Sequence, residues 1–323
     1  MRTPSALKLD PFILMILGAV LVASVLPARG VVEDGVGVLV RVAIFVLFFM
    51  YGGRLSTSEA LAGLTHWRLH LAILGLTFVV FPLVALAMMP ASGTLLAPAL
   101  YAGVVFCALV PSTVQSAIVF TSTAGGNVPG AIVSASASNL LGVVITPMLA
   151  ALVMTTSGEM AVRWSSVLDL TAQILLPFFL GQLSRRWTAT WLKNNHTWLK
   201  YVDRSVIVLV VYAAFSRGMN EGMWTMVGPV DLVVLVLVCL VLFVVMTAVS
   251  AGAARLGPYD RADAIAITFC GSQKSLATGL PIAVVLFAGQ PVGLMVLPLM
   301  VYHQIQLMAG AVLAARWARG APA

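Results

Sequence analysis

The sequence predicts an all-α integral membrane protein with ten transmembrane helices, and three observations lead to that fold class. Of its 323 residues, 61% are hydrophobic and 9% are charged, whereas a soluble domain is about 45–50% apolar and about a quarter charged. The apolar residues form continuous runs, unlike the alternating segments of about ten residues in a membrane β-barrel. No connection is long enough to fold as a separate soluble domain. The solvent of this chain is therefore lipid.

Ten windows of the sequence predict the spanning helices in chain order. Each window is near or above the roughly 20 apolar residues that cross a hydrocarbon core about 30 Å thick. The first window also fits a cleaved signal peptide, because Arg2 and Lys8 precede it and Pro27-Ala28-Arg29 follow it. The windows are 11–28, 36–54, 70–90, 97–123, 128–154, 165–184, 201–217, 229–253, 262–289 and 291–316.

The basic residues are distributed unequally between the two sides of the predicted membrane. With the N-terminus inside, only Arg29, Arg163 and Arg217 lie outside. This positive-inside distribution predicts a membrane protein with both termini in the cytoplasm. The net charge of +7 therefore indicates topology and not a nucleic-acid partner. The cytoplasmic set is Arg2, Lys8, Arg54, Arg68, Arg185, Arg186, Lys193, Lys200, Arg204, Arg255, Arg261, Arg316 and Arg319.

An internal repeat relates the two halves of the chain, residues 1–160 and 161–323. A shift of 163 residues brings Phe106-Cys107 onto Phe269-Cys270 and Ser112 onto Ser275, and it overlays the first five windows on the last five. Each half crosses the membrane an odd number of times, so the second half runs with the opposite orientation. This inverted-repeat plan is typical of secondary transporters, which bind their solute near the membrane midplane.

Equivalent helix breaks are predicted in the fourth and ninth windows. The fourth contains Pro111-Ser112-Thr113, Gln115 and Ser116, and the ninth contains Gly271-Ser272-Gln273-Lys274-Ser275. Proline removes an amide donor and glycine relaxes the backbone, so both segments can unwind. Unpaired backbone groups at bilayer depth are tolerated where they line a cavity or bind something. Two proline kinks capped by hydroxyl groups are the alternative interpretation.

Lys274 lies near the predicted midplane of the membrane. Its ammonium group costs several kcal/mol there unless it is paired or hydrated, so it is a candidate for solute or ion binding. Burial favours the uncharged amine, which could carry a proton. A structural lysine bound to carbonyl groups at the break is the alternative.

Polar residues in the fifth and tenth windows extend the candidate site. Ser134 and Ser138 lie one helical turn apart, and Asn139 is the repeat partner of Tyr302. His303 and Gln306 are three residues apart and can share a helix face. The serines also fit close helix packing, and His303 also fits a bridge between helices.

Other classes of site find little support in the sequence. His66 and His70 have i, i+4 spacing, but no glutamate follows the first histidine as a zinc protease would require. Aspartate and glutamate are confined to helix ends and loops, so we expect no enzyme activity and no cofactor beyond a coupling ion, Na⁺ or H⁺.

The chain resembles the bile acid:sodium symporter superfamily, in particular its bacterial branch with a Gly-Ser-x-Lys-Ser-Leu type of break. The stretches that carry the resemblance are 111–127, 271–281 and 298–308. The resemblance implies a panel domain from windows 1, 2, 6 and 7 and a core domain from windows 3, 4, 5, 8, 9 and 10. It also implies that windows 4 and 9 cross at their unwound centres.

The resemblance further implies two sodium ions behind this crossing, held by polar side chains and a glutamate. Carried onto this sequence, the candidate positions are Ser112, Thr113, Gln115, Ser116, Ser134, Ser138, Gln273 and Ser275, with Na⁺ itself at Ser112, Gln115, Ser134 and Gln273. This sequence departs from the pattern, because Phe269 stands at the glutamate position and Lys274 at a neighbouring asparagine position. Lys274 is therefore predicted to stand where an ion would sit, leaving coupling to protons or at most one sodium ion.

These observations predict a secondary active transporter of a small organic anion that works by alternating access, as a monomer or homodimer. The anion is inferred from Lys274 and from the positive ends of half-helices. Two alternatives stay open. Cys107 and Cys270 are repeat partners that could bind a soft solute, as in arsenite efflux permeases, and the chain could be a regulator that transports nothing.

Overall fold

A computed structural model of the chain describes residues 11–54, 66–88, 93–156 and 164–319. Arg2, Lys8 and Arg163, which enter the prediction of topology, lie outside these residues, as does the predicted boundary between the two halves at 160.

The elements of the fold are α-helices, labelled α1 to α14 in chain order. A helix lies in each of the ten predicted windows, with ends that differ from the prediction by several residues. The bounds are α1 Pro11–Val25, α2 Val31–Arg54, α3 Trp67–Ala87, α4 Pro98–Leu109, α5 Gln115–Thr123, α6 Val128–Thr156, α7 Trp164–Leu183, α8 Arg185–Asn194, α9 His196–Asn220, α10 Met223–Met226, α11 Pro229–Leu256, α12 Arg261–Ser272, α13 Leu276–Leu286 and α14 Val292–Arg319.

Five of these helices, α2, α3, α6, α11 and α14, are long and apolar enough to cross a membrane as described. Large apolar side chains on their outer faces are exposed, for example Val38, Leu237 and Val244, whereas Gln273 and Lys274 are fully enclosed. Apolar groups outside and polar groups inside are the arrangement that a lipid solvent favours. The prediction of an all-α membrane protein is thereby confirmed.

The fourth and ninth windows each contain two helices with an extended segment between them. Residues 110–114 separate α4 from α5 and form the first interruption; residues 273–275 separate α12 from α13 and form the second interruption. α4 and α12 both have 12 residues, and their bounds differ by 163 positions at each end.

α8 is a helix that the sequence windows did not predict. Its ten residues carry Arg185, Arg186 and Lys193, while Trp187 and Trp191 are exposed. The guanidinium of Arg186 stacks on the Trp187 ring at 3.6 Å. A basic, tryptophan-rich amphipathic helix of this kind is typical of a membrane interface.

Four helices pack against one another as a group. α1 packs against α9, and α2 packs against both α7 and α9. The α2–α7 contact is so close that a methyl group on Gly52 would overlap the Phe178 carbonyl, and one on Gly181 would overlap the Phe49 carbonyl. These four helices correspond to windows 1, 2, 6 and 7.

Candidate functional site

The two interruptions contact each other directly. The Ser275 amide donates to the Pro111 carbonyl at 2.8 Å, and Ser112 Oγ donates to the Cys270 carbonyl at 2.6 Å. Pro111 has no amide and ends the hydrogen-bond ladder of α4. Ser275 caps the start of α13, since its Oγ accepts from the Thr278 amide at 3.2 Å. The two interruptions that the sequence predicts thus meet at one crossing point.

Helix α6 supplies polar partners for the first interruption. Ser138 Oγ accepts from the Ser112 amide at 3.0 Å. The Asn139 side-chain amide donates to the Ser112 carbonyl, and its carbonyl oxygen accepts from Thr278 Oγ1. Asn139 therefore links the first interruption to the start of α13.

Helix α14 supplies polar partners for the second interruption. The Tyr302 hydroxyl donates to the Ser272 carbonyl at 2.6 Å. The Gln306 side chain accepts from the Lys274 amide at 2.7 Å and donates to the Lys274 carbonyl at 2.8 Å. His303 Nδ1 lies 2.8 Å from Gln306 Nε2. Backbone groups that unwinding frees are in this way satisfied within the protein.

The ammonium group of Lys274 is enclosed by protein. Nζ donates to the carbonyls of Thr77 at 2.9 Å, Ala108 at 2.6 Å and Val110 at 2.9 Å. It also lies 4.1 Å from the centre of the Phe81 ring. An ammonium group has three N–H donors, so the three carbonyls, called here the carbonyl cage, match all of them. A ring face adds a favourable cation–π contact.

The cage carbonyls are available because the surrounding backbone is irregular. A π-helical turn spans Leu76–Val80 within α3, where the Phe81 amide donates to the Leu76 carbonyl. The next residue, Pro82, has no amide, so the Thr77 carbonyl is left for Lys274. Ala108 and Val110 lie at the end of α4, where carbonyls lack helical partners and the helix dipole is negative.

Two more polar pairs lie behind the crossing. Ser116 Oγ donates to Gln273 Oε1 at 2.7 Å, and Ser134 Oγ lies 2.6 Å from His70 Nδ1. The other side-chain atom of Gln273, Nε2, is buried and has no hydrogen-bond partner among the described residues.

A cavity of about 460 Å³ lies on the other side of the crossing. Residues at the start of α5 and α13, together with part of α6, line one wall, and α2, α7 and α9 line the other. Its volume is within the usual range for small-molecule sites, about 300–1,000 Å³. The lining residues are Tyr51, Arg54, Thr113, Val114, Gln115, Ser136, Asn139, Leu140, Val143, Phe178, Asp203, Ser275, Ala277 and Thr278.

An ion pair stands in the second wall of this cavity. Arg54 Nη1 donates to Asp203 Oδ2 at 2.7 Å, with side chains that are 30% and 21% exposed. From the sequence, Arg54 was predicted only as one of the cytoplasmic basic residues, and Asp203 was not among the predicted site residues. Their separation of 149 residues leaves no local pattern by which to find the pair.

The structure divides the twelve predicted site residues into two groups. Thr113, Gln115, Asn139 and Ser275 line the cavity. The remaining eight lie behind the crossing or in its backbone supports: Ser112, Ser116, Ser134, Ser138, Gln273, Lys274, His303 and Gln306.

Of the four residues predicted to bind Na⁺, only Gln115 lines the cavity. The side chains of Ser112, Ser134 and Gln273 are hydrogen-bonded to protein groups. Their role as sodium ligands stays a prediction.

The cysteines and histidines give no further site. Cys107 and Cys270 are buried, and neither lines the cavity at the crossing. Within the described ranges, no three His, Cys, Asp or Glu residues group as a metal site would require.

A helical membrane protein with two interrupted helices crossing beside a cavity has the features of a secondary transporter. The chain belongs to the SBF-like CPA transporter family, whose model matches residues 10–319. That family consists of transporters and not of enzymes.

Several individual proteins are similar to this chain over most of its length. The uncharacterized protein PA2026 of Pseudomonas aeruginosa is 46% identical over 96% of this chain and 93% of its own. The protein named "Putative symporter YfeH" of Escherichia coli is 46% identical with the same coverage. Sodium/bile acid cotransporter 7 of Rattus norvegicus is 31% identical over 84% of this chain and 81% of its own.

Proposed function

We propose that this protein is a secondary active transporter of a small organic anion. Its spans form two inverted repeats of five, residues 1–160 and 161–323. The matching lengths and offsets of α4 and α12 support the repeat. α1, α2, α7 and α9 form the panel, which moves against a core of the remaining spans to give alternating access. The close α2–α7 contact supports the panel as one body.

The observation that carries the proposal is the cavity at the crossing. The starts of α5 and α13 both line it, through Thr113, Gln115 and Ser275. The N-terminal end of a helix carries a partial positive charge and unpaired amides, which favour an anion. Leu140 and Val143 provide an apolar surface for the body of an organic molecule. The rat relative, named as a sodium/bile acid cotransporter, supports the same class of solute.

Lys274 acts in this proposal as a fixed cation and not as the proton carrier that its burial also suggested, because three acceptors match an ammonium group, and it does not contact the solute. Backbone carbonyls are ligands that proteins use for alkali cations, and the cage surrounds the ammonium group with three of them. One positive charge is therefore already present behind the crossing. We infer coupling to protons or to at most one sodium ion.

The membrane orientation is proposed from charge. Arg54, Arg185, Lys193 and Lys200 line one cavity, here called the basic vestibule. The positive-inside rule assigns the basic vestibule to the cytoplasm, with the chain in a bacterial inner membrane and both termini inside.

Flux measurements in proteoliposomes test the proposed function. We expect gradient-driven uptake of at least one of acetate, phenylacetate and cholate under an inward sodium or proton gradient. Asn139→Ala should abolish that uptake, because Asn139 joins the first interruption to α13. Asn195→Ala is the matched control, since the Asn195 amide donates only within an exposed turn, to the Trp191 carbonyl. No flux of any probe under either gradient would refute the proposal.

A further inference from the structure

Two cavities meet at the ion pair of Arg54 and Asp203. Both residues line the cavity at the crossing, and both line the basic vestibule, whose volume is about 1,010 Å³. The ion pair therefore borders both spaces.

The basic vestibule has a strong excess of positive charge. Arg54, Arg185, Lys193 and Lys200 line it, and Asp203 is the one carboxylate among its lining residues in the described part of the chain. Clefts lined by one sign of charge raise the local concentration of oppositely charged solutes. The vestibule is therefore expected to concentrate anions beside the cavity at the crossing.

The ion pair itself uses few of the hydrogen bonds it can form. Asp203 accepts from Arg54 through Oδ2, while its Oδ1 is buried without a partner in the described structure. On Arg54, Nη2 lies 3.9 Å from the thioether sulfur of Met50, a weak acceptor. A carboxylate binds arginine best in a two-pronged geometry, which Asp203 does not adopt. An incoming carboxylate can therefore bind Arg54 better than Asp203 does.

We propose that Arg54 is the residue that binds the carboxylate of the solute, and that Asp203 occupies this guanidinium while the cavity is empty. The inference rests on the proposed transport function and adds a substrate class to it. The solute is an amphipathic organic carboxylate, with its charged group on Arg54 and its apolar body against Leu140, Val143 and Phe178. Asp203 is an internal competitor for the same site.

This arrangement predicts opposite effects for the two partners of one ion pair. Asp203→Asn removes the competitor and should strengthen carboxylate binding. Arg54→Gln removes the ligand and should weaken it. A merely structural ion pair predicts the same direction for both variants, because each leaves one partner uncompensated.

The experiment measures protection of a thiol placed in the cavity. Ser136 lines the cavity, and the three native cysteines are buried, so a Ser136→Cys background offers an accessible thiol. The rate of its reaction with uncharged N-ethylmaleimide is followed by mass spectrometry in detergent. Acetate, phenylacetate and cholate are the anionic probes, and phenylacetamide is the uncharged analogue of the second.

We expect at least one carboxylate to slow the reaction while phenylacetamide does not. Asp203→Asn should lower the half-protecting concentration roughly tenfold and Arg54→Gln should raise it at least roughly tenfold, as expected for a nearby unit charge at intermediate dielectric. Arg54→Lys keeps the charge without the two-pronged geometry and should be intermediate. Arg186→Gln is the control: Arg186 belongs to the same helix as Arg185 but lines neither cavity, so its value should stay unchanged.

The outcomes separate this inference from the transport function. Shifts of the same sign in Asp203→Asn and Arg54→Gln, or equal protection by phenylacetamide, would overturn the assignment of Arg54 and leave transport intact. No protection by any carboxylate in Asp203→Asn, with gradient-driven flux still present, would also overturn it. A thiol at position 136 that never reacts would instead count against the solute cavity itself.

Discussion

At the scale of single residues, Lys274 is held through both its side chain and its backbone. Its ammonium donors match three backbone carbonyls and its own backbone is held by Gln306. A hydrogen bond to a charged group contributes about 1.5–3 kcal/mol, and a buried carbonyl left unpaired costs about 1–3 kcal/mol. The side chain therefore joins the second interruption to two other segments, α3 and the end of α4.

Replacement of Lys274 by alanine should strongly destabilise the fold, and an added small amine should restore part of the lost stability. We expect Lys274→Ala to lose at least roughly 3 kcal/mol of folding free energy, because three cage carbonyls lose their donor. Methylammonium at tens of millimolar should raise the thermal midpoint of this variant and leave the parent protein unaffected. The measurement is thermal unfolding in detergent.

Two controls belong to the Lys274 experiment. Tetramethylammonium has no N–H donor and should not raise the midpoint of Lys274→Ala. Lys193→Ala, on an exposed helix face, should leave the midpoint unchanged. A stability of Lys274→Ala equal to that of the parent would contradict the cage.

At the scale of elements, the fold contains two different kinds of helix contact: polar contacts at the crossing and a close backbone contact between α2 and α7. α4 and α12 stop at the crossing, where polar side chains from α6 and α14 complete their hydrogen bonds. α2 and α7, in contrast, meet backbone to backbone through Gly52 and Gly181. Small residues allow such close approach between membrane helices, where dispersion and not the hydrophobic effect drives association. The α2–α7 contact is thus a place where added volume cannot be accommodated.

A single methyl group tests this contact. Gly52→Ala should lower the thermal midpoint by several degrees, because the new side chain would overlap the Phe178 carbonyl and push α7 away. Gly35→Ala is the matched control in the same helix: no atom lies within 4 Å of the added group, and alanine favours the helix. Equal midpoints for the two variants would show that the α2–α7 contact is not tight.

At the scale of the whole molecule, the exposed apolar surface and the excess of positive charge lie in different places. Exposed apolar side chains cover the outer faces of the long helices, whereas the basic vestibule gathers positive charge at one end. The first feature fixes the molecule in lipid, and the second is expected to fix its orientation.

Reporter fusions to the C-terminus test this orientation in cells. A green fluorescent protein fused after residue 323 should fluoresce, and alkaline phosphatase fused there should be inactive, because both would lie in the cytoplasm. An active phosphatase fusion would reverse the proposed orientation and assign the basic vestibule to the periplasm.

The sequence was sufficient to predict the helix interruptions and the burial of Lys274, because proline, glycine and an intramembrane charge are strong local signals. It was also sufficient to single out Asn139 and Gln306, both of which bind interruption backbone. It could not predict the pairing of Arg54 with Asp203, since each residue alone looks like an ordinary charge at the end of a span. α8 could not be predicted as a spanning helix, because ten amphipathic residues are too few to cross a membrane.

The backbone partner of Lys274 in α3, the Thr77 carbonyl, could not be predicted either, because the sequence does not show which backbone carbonyls lack a helical partner. Its only trace is Pro82, whose missing amide leaves the Thr77 oxygen without a helical partner. Lys274 and Pro82, 192 positions apart, therefore depend on each other. Without Lys274, the proline would only weaken α3, because the Thr77 carbonyl would have no donor. In the evolution of such chains the two residues should be gained together and lost together, and a homologue that retains Pro82 without Lys274 needs some other donor in the space that the ammonium group leaves.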